Sequence, residues 1–423
     1  MTDSRKDIGR ETKATATFRG AKNDRPGAIQ LANLAGRPFR GFIDLGEEYL
    51  IRRALRAFPD FAPDKIEFRD ALRALTRALD REARLNFIGR IAAQQDTLRL
   101  INTQIRIRRE LDERPEITRQ EVRRPVFIVG LPRTGTTILL ALLSQDPAHR
   151  PLLFWEGFDP VSPRSGDDRR RQQAARLIRS FDYVCPSYQS IHPMRADLPE
   201  ECVLLFMHTF MTPQFDFQYH VPSYMKWLQE KGYAQAYRHY KEQLQLLQLQ
   251  RPMTERWLLK DPAHLFALDS ILELFPDACV IQTHRDPLKA LASNCSLYAH
   301  TRSIFSDSVD PGELGEYVSQ GTWPAALERA LRLRERLPAD NFRDLRYADF
   351  MRDPIGEIEG IYDYFGLDLG DTTRDAMRSY LALHPKAGDR AHRYSLEQFG
   401  LDPEAERKRF EEYCTRFEIC AEA

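Results

Sequence analysis

The stretch that most constrains this chain is Val126-Phe-Ile-Val-Gly130, followed by Leu-Pro-Arg-Thr-Gly135-Thr-Thr137 and then by Ile138-Leu-Leu-Ala-Leu-Leu143. A short run that is apolar at every position predicts a strand covered on both faces, which is the habit of parallel sheets. The apolar segment after Thr137 has the length and composition of a helix. Between them lie two glycines five apart and a hydroxyl residue two positions further on, the frame of a phosphate-binding loop. Successive backbone N–H groups in such a strand-to-helix turn point at one place and favour an anion there.

The rest of the pattern extends that unit. Arg256-Trp-Leu-Leu-Lys260 and Ala278-Cys-Val-Ile-Gln-Thr-His284 are predicted strands, separated by a helical segment, His264 to Phe275. Phe342 to Tyr347 is a further strand, and the helix beginning at Pro354 is expected to stop at Gly366, a C-cap glycine. Strand and helix alternating in this way form a parallel sheet. The expected fold class is therefore α/β, a P-loop NTPase-like parallel sheet flanked by helices, with a helical N-terminal region and helical insertions. Residues 1–30 read as a polar tail, 31–120 as the helical region, 121–370 as the α/β core with an insertion over about 160–250, and 371–423 as a closing loop and helix. Within the insertion, Pro199 is expected to open a helix through Met211, and a long helix is expected from Pro222 to Gln250. Asp402 to Cys420 is expected to form a last helix.

Charge and cysteine content limit the partners. Sixty-two Lys and Arg balance sixty-two Asp and Glu, so nothing in the overall charge favours nucleic acid or an anionic membrane, and any anion site must be local. No run approaches the roughly 18 apolar residues of a spanning helix. The first residues are basic without an apolar core, so no secretory signal is expected and the location is cytoplasmic by default. Six cysteines without a Cys-x-x-Cys pair give neither a disulfide frame nor a zinc site.

The phosphate loop departs from the nucleotide-hydrolase pattern in an informative way. Thr136 stands where the phosphate-binding lysine belongs, a cation appears inside the loop as Arg133, and the strand of Val280 and Ile281 ends in Thr283-His284-Arg285 rather than in an acid that would hold Mg²⁺. That is a site for an anion without a metal. A sulfuryl group carries less negative charge than a terminal phosphoryl, so fixed cations and backbone donors suffice to stabilise its transfer.

Val129 to Thr137 resembles the 5′-phosphosulfate loop of sulfotransferases that use 3′-phosphoadenosine 5′-phosphosulfate (PAPS), most nearly in the tyrosylprotein and bacterial branches. Arg285-Asp-Pro with Ser293 eight residues on is similar to the family's 3′-phosphate motif, and Leu259-Lys260-Asp261-Pro262 to its lysine-bearing strand end. The resemblance implies a cytoplasmic enzyme that moves a sulfuryl group from PAPS to a hydroxyl, with no metal. It places Arg133, Thr134, Gly135, Thr136, Thr137, Arg285 and Ser293 on the donor, and Arg133 and Lys260 at the leaving oxygen. Arg390, Arg393 and Tyr394 fit a loop closing over the nucleotide, and a solvated basic loop accounts for them equally well. For the base, Glu156 ranks slightly above His264, each with a capping or packing role as the alternative; His192 and Glu201 are further candidates for the acceptor pocket. The acceptor is a small molecule, a glycan or a lipid hydroxyl, and its identity and the oligomeric state are not legible. Two rivals stand beside this reading: a nucleotide-dependent kinase and a nucleotide-binding interaction protein without turnover.

Overall fold

The computed structural model describes residues 25–186, 188, 193–251, 255–384 and 395–422. Five parallel strands form one sheet in the order β2-β3-β1-β4-β5: β1 is Val126–Gly130, β2 His149–Pro151, β3 Arg256–Lys260, β4 Cys279–His284 and β5 Phe342–Arg346. The expected α/β class is what the chain adopts. The register puts Ile128 beside Lys260 and Gly130 beside Thr283, so β1, β3 and β4 end together at one edge. Open α/β sheets bind ligands at that carboxyl edge.

Side-chain alternation divides the sheet into two cores. Phe127, Val129, Trp257, Leu259, Val280 and Phe342 point to one face, and Val126, Ile128, Leu258, Cys279, Ile281 and Leu345 to the other. This period of two is the pleat of a strand, and every one of these residues is buried, as strands covered on both sides require. The second face is closed by the helices Thr136–Leu143, Pro354–Phe365 and Asp371–Leu383, through Leu139, Leu143, Ile358, Ile361 and Met377. The first face is covered by the N-terminal helices together with the insertion, in one continuous cluster running from Leu45 to Tyr413.

Several elements differ from expectation, each for a local reason. The helix expected from Pro199 begins only at Val203 and stops at Met207. Before it, Glu200 N–H donates to Leu152 O (2.8 Å) and Cys202 N–H to Lys260 O (2.9 Å), so residues 199–202 are drawn out along the strand ends. The long helix from Pro222 is two helices, Pro222–Lys231 and Ala234–Gln250, broken where Gly232 adopts φ 74°. The last helix is likewise two short ones, Pro403–Arg409 and Glu411–Arg416, although Asp402 does cap the first by accepting from Glu404 N–H. Gly366 ends its helix in the left-handed conformation as expected.

The helix Phe87–Glu113 is locked to the helix Pro287–Phe305 by a close backbone approach at Gly89, where a Cβ would lie 2.1 Å from Phe305 O. Gly89→Ala is therefore expected to cost about 1–3 kcal/mol, the range of overpacking, whereas Gly27→Ala, with open space around its Cβ position, leaves thermal stability unchanged. Paired melting curves measure the difference.

Candidate functional site

The phosphate loop is built from the end of β1 and its following helix. Gly130 has φ 146° and Gly135 φ 89°, so both occupy the region that favours glycine. A Cβ on Gly130 would come within 2.2 Å of Thr283 Oγ1, and one on Gly135 within 2.9 Å of the Tyr347 ring. The loop thus lies flush against β4 and the residue after β5. Thr134 is buried and braces it: its hydroxyl donates to Leu131 O (2.7 Å) and meets Thr283 Oγ1 (2.6 Å). Thr136 is also buried, while Arg133 and Thr137 are exposed, with Arg133 at φ 72°. The N–H groups of Gly135, Thr136 and Thr137 find no backbone acceptor among the described residues. They form a cradle of donors at a helix start.

Arg285, at the end of β4, reaches across to this loop: its Nη1 donates to Arg133 O (2.9 Å) and its guanidinium stacks 4.1 Å from the Tyr347 ring centre. Its Nε and Nη2 grip the Glu422 carboxylate in a two-pronged pair (2.8 and 2.7 Å). Glu422 N–H in turn donates to Asp286 Oδ2 (2.9 Å). Ser293 is buried on the helix Pro287–Phe305 that follows. The two predicted anion motifs are therefore neighbours.

At the end of β3, Lys260 is 2% exposed and its ammonium is paired with the Glu201 carboxylate. Burial alone would lower the Lys260 pKa, but the charges of Glu201 and Glu200 outweigh it and hold it above the ordinary value. Asp261, next in the chain, is pushed up by burial and then by Glu201; its Oδ1 accepts from Ala263 N–H (2.8 Å), while Oδ2 is buried without a partner among the described residues. Glu200, Glu201 and Asp261, with Pro132 of the phosphate loop, are among the residues that line a cavity of about 490 Å³. Most of the rest of its wall is apolar and aromatic, including Phe154, Phe158, Phe181, Phe217, Phe305 and Trp323, with Gln95, Asp96, Arg99, Gln214 and Gln218 among the polar exceptions. Aromatic residues of the segment 203–227 divide between this wall and the core behind it, Phe217 and Tyr219 serving the cavity.

The first-ranked bases lie elsewhere. Glu156 sits 1% exposed in the first turn of the helix Phe154–Phe158. Its carboxylate accepts from Arg150 (3.0 Å) and from Leu153 N–H (3.2 Å), with Arg251 at 3.5 Å. His264 is fully buried among Phe127, Phe206, Tyr237 and Tyr240, with Nδ1 2.6 Å from Tyr237 Oη, and burial pulls its pKa down to about 3. Neither residue lines the cavity. A 3₁₀ turn, Pro262–Phe266, carries the imidazole into the core. His192, Arg390, Arg393 and Tyr394 lie outside the described residues. Asp261 was missed as a site residue; the signal was its place directly after Lys260 in an interior strand's end, where an acid is buried beside other acids.

Comparison with known proteins agrees with this geometry. Residues 125–371 match the sequence profile of the sulfotransferase family, more than half of the chain. The chain belongs to that family. Sulfotransferase STF9 from Mycobacterium avium superposes with a TM-score of 0.80 at 28% identity, covering 90% of this chain and 98% of that one. Sulfotransferase STF1 from Mycobacterium tuberculosis H37Rv gives 0.71 at 32% identity, covering 86% and 97%. Among characterised relatives, the omega-hydroxy-beta-dihydromenaquinone-9 sulfotransferase Stf3 of Mycobacterium bovis is 27% identical over 288 residues, 65% of this chain and 71% of the relative. This protein is thus an enzyme of sulfuryl transfer, as the resemblance of its motifs implied. Among the described residues no helix is long and apolar enough to cross a membrane.

The raised Asp261 makes a pH prediction with a definite sign. A carboxyl whose folded pKa exceeds its unfolded value of 3.8 binds more protons in the folded state, so stability falls as pH rises through that interval. Asp261→Asn keeps the oxygen that accepts from Ala263 N–H and removes the titration. Its melting temperature is expected to exceed the parent's by a few degrees at pH 9 and to converge with it towards pH 4; parallel curves across that range reject the assignment.

Proposed function

We propose that the enzyme transfers a sulfuryl group from PAPS to the hydroxyl of an elongated, apolar acceptor. The observation that carries this reading is that one largely apolar cavity is lined both by Pro132 of the phosphate loop and by Glu201, the partner of Lys260. Its apolar wall suits a lipid-like alcohol better than a sugar or a peptide, which would leave polar groups unpaired against aromatic rings. The relative Stf3, a sulfotransferase of a hydroxylated menaquinone derivative, supports the same class.

The residues fit the donor. The N–H groups of Gly135, Thr136 and Thr137 would hold the 5′-phosphate, aided by the hydroxyl of Thr137 and by Arg133. Arg285 already binds a carboxylate in the two-pronged manner a phosphate demands, and with Ser293 would take the 3′-phosphate in place of Glu422. PAPS supplies an activated sulfuryl group joined through an oxygen to that 5′-phosphate. Glu201 takes the base role in preference to Glu156 and His264: it lines the cavity, and it is 24% exposed where they are sealed away. As the acceptor oxygen bonds to sulfur, Glu201 accepts its proton, the bond from sulfur to the bridging oxygen breaks, and Lys260 and Arg133 stabilise the charge left on that oxygen.

Calorimetric titration tests the donor. Adenosine 3′,5′-bisphosphate is expected to bind tightly and ATP weakly, Arg285→Ala to lose about 2–5 kcal/mol of bisphosphate affinity, and Glu422→Gln to strengthen binding because its charge no longer competes. Tight ATP binding with a strict Mg²⁺ requirement would favour the kinase instead. Glu201→Gln is expected to lower turnover by about 10²–10⁴ with bisphosphate affinity intact, assayed with long-chain alcohols; an active Glu201→Gln enzyme refutes the base.

A further inference from the structure

Nine large apolar side chains are strongly exposed among the described residues, and four of them, Leu31, Leu34, Phe39 and Phe42, fall within twelve consecutive positions at 58–84% exposure. Such clustering is uncommon on a surface with no partner. The helix Gly27–Gly36 that bears the leucines is turned inside out: it buries Asn33 and Gly36 and presents its leucines to solvent. Its inner face fixes this orientation. Asn33 Oδ1 accepts from Ile88 N–H (2.9 Å), and Gly36 lies so close to Phe87 that a Cβ would be 2.2 Å from the ring. Rotating the leucines inward would break both contacts. The 3₁₀ turn Arg37–Phe42 continues the face with every residue exposed and with the rings of Phe39 and Phe42 6.4 Å apart.

The charge of this face has one sign. No Asp or Glu occurs from Gly27 to Ile43, and no carboxylate pairs with Arg37 or Arg40 among the described residues. Beside it lies a cleft of about 400 Å³ lined by Arg25, Arg37, Arg40 and Arg84, whose one carboxylate, Asp307, is taken by Arg25. Apolar side chains projecting between arginines, on a rigid support, are the chemistry of attachment to an anionic bilayer surface, the rings and leucines entering the headgroup boundary while the guanidiniums meet phosphates. A second copy is a poorer occupant, since a two-fold contact would set this basic face against itself.

We propose that residues 27–42 dock the enzyme on an anionic lipid surface. The face rests on the start of the helix Phe87–Glu113, which contributes Ala92, Gln95, Asp96 and Arg99 to the acceptor cavity. On the proposed acceptor class, docking brings that cavity to where an apolar alcohol resides.

Flotation of the full chain with vesicles is the test, using phosphatidylcholine alone and phosphatidylcholine mixed with phosphatidylglycerol. The protein is expected to float with the mixed vesicles and to be released by salt. Phe39→Ser/Phe42→Ser should reduce the bound fraction at least tenfold, and Arg37→Gln/Arg40→Gln should abolish the preference for the anionic vesicles, both with unchanged melting temperature and bisphosphate affinity. A parent chain that stays in solution with both vesicles overturns the proposal, as does sedimentation showing a dimer that the Phe39→Ser/Phe42→Ser variant separates. Flotation needs neither donor nor acceptor, so a chain that floats yet sulfates no lipid alcohol would reject the acceptor reading and leave the docking surface standing.

Discussion

Everything functional in this protein hangs on β1 being the middle strand of a sheet that is dry on both faces. With β3 and β4 as its two neighbours, the ends of three strands coincide, and each delivers one part of the proposed site: Gly130 opens the phosphate loop, Lys260 stands on one side of it and Arg285 on the other. Apolar burial on both faces holds the three ends in register, so the cations are positioned by the core rather than by surface ion pairs, which would be weak and salt-sensitive. That explains why an eight-residue loop without the usual lysine still forms a cradle: cations arrive from neighbouring strands.

The parts legible in the sequence were those with a local cause. β1, β3 and β4 announced themselves as apolar runs, the phosphate loop as glycines between strand and helix, and Gly366 as a helix stop. The three-residue β2 carries no apolar run at all, His149-Arg-Pro151, and exists because it pairs with β3. Pro199-Glu-Glu looked like a helix start because proline and acids favour one; hydrogen bonds to Leu152 and Lys260, residues far away in sequence, overrode that preference. The same override underlies the proposed choice of base. Glu156 and Glu201 are both acids near aromatic residues in the sequence, and only the fold shows that one is locked to Arg150 while the other faces a cavity. No spacing rule carries that difference, since it depends on where the chain returns after leaving the sheet.

Some features that the sequence shows openly need the structure before they mean anything. Leu31, Leu34, Phe39 and Phe42 look like an ordinary amphipathic core segment until Asn33 and Gly36 are found on the buried side. The balanced net charge likewise conceals a local face with arginines and no acids, because total charge says nothing about where the charges sit.

The site also has an internal logic in its pairing. Each of the two cations that flank the loop already holds a carboxylate of this chain, Lys260 with Glu201 and Arg285 with Glu422. Buried or half-buried cations left unpaired would be costly, so the resting site is neutralised from within. On the proposed chemistry, the donor's phosphates replace both carboxylates as partners. Glu422 is then simply released, but Glu201 stays at the mouth of the acceptor cavity, no longer engaged by Lys260 and free to take a proton. Occupancy of the donor site and readiness of the base are thereby linked through one lysine, and the acceptor hydroxyl meets an available carboxylate only when there is a sulfuryl group for it to attack.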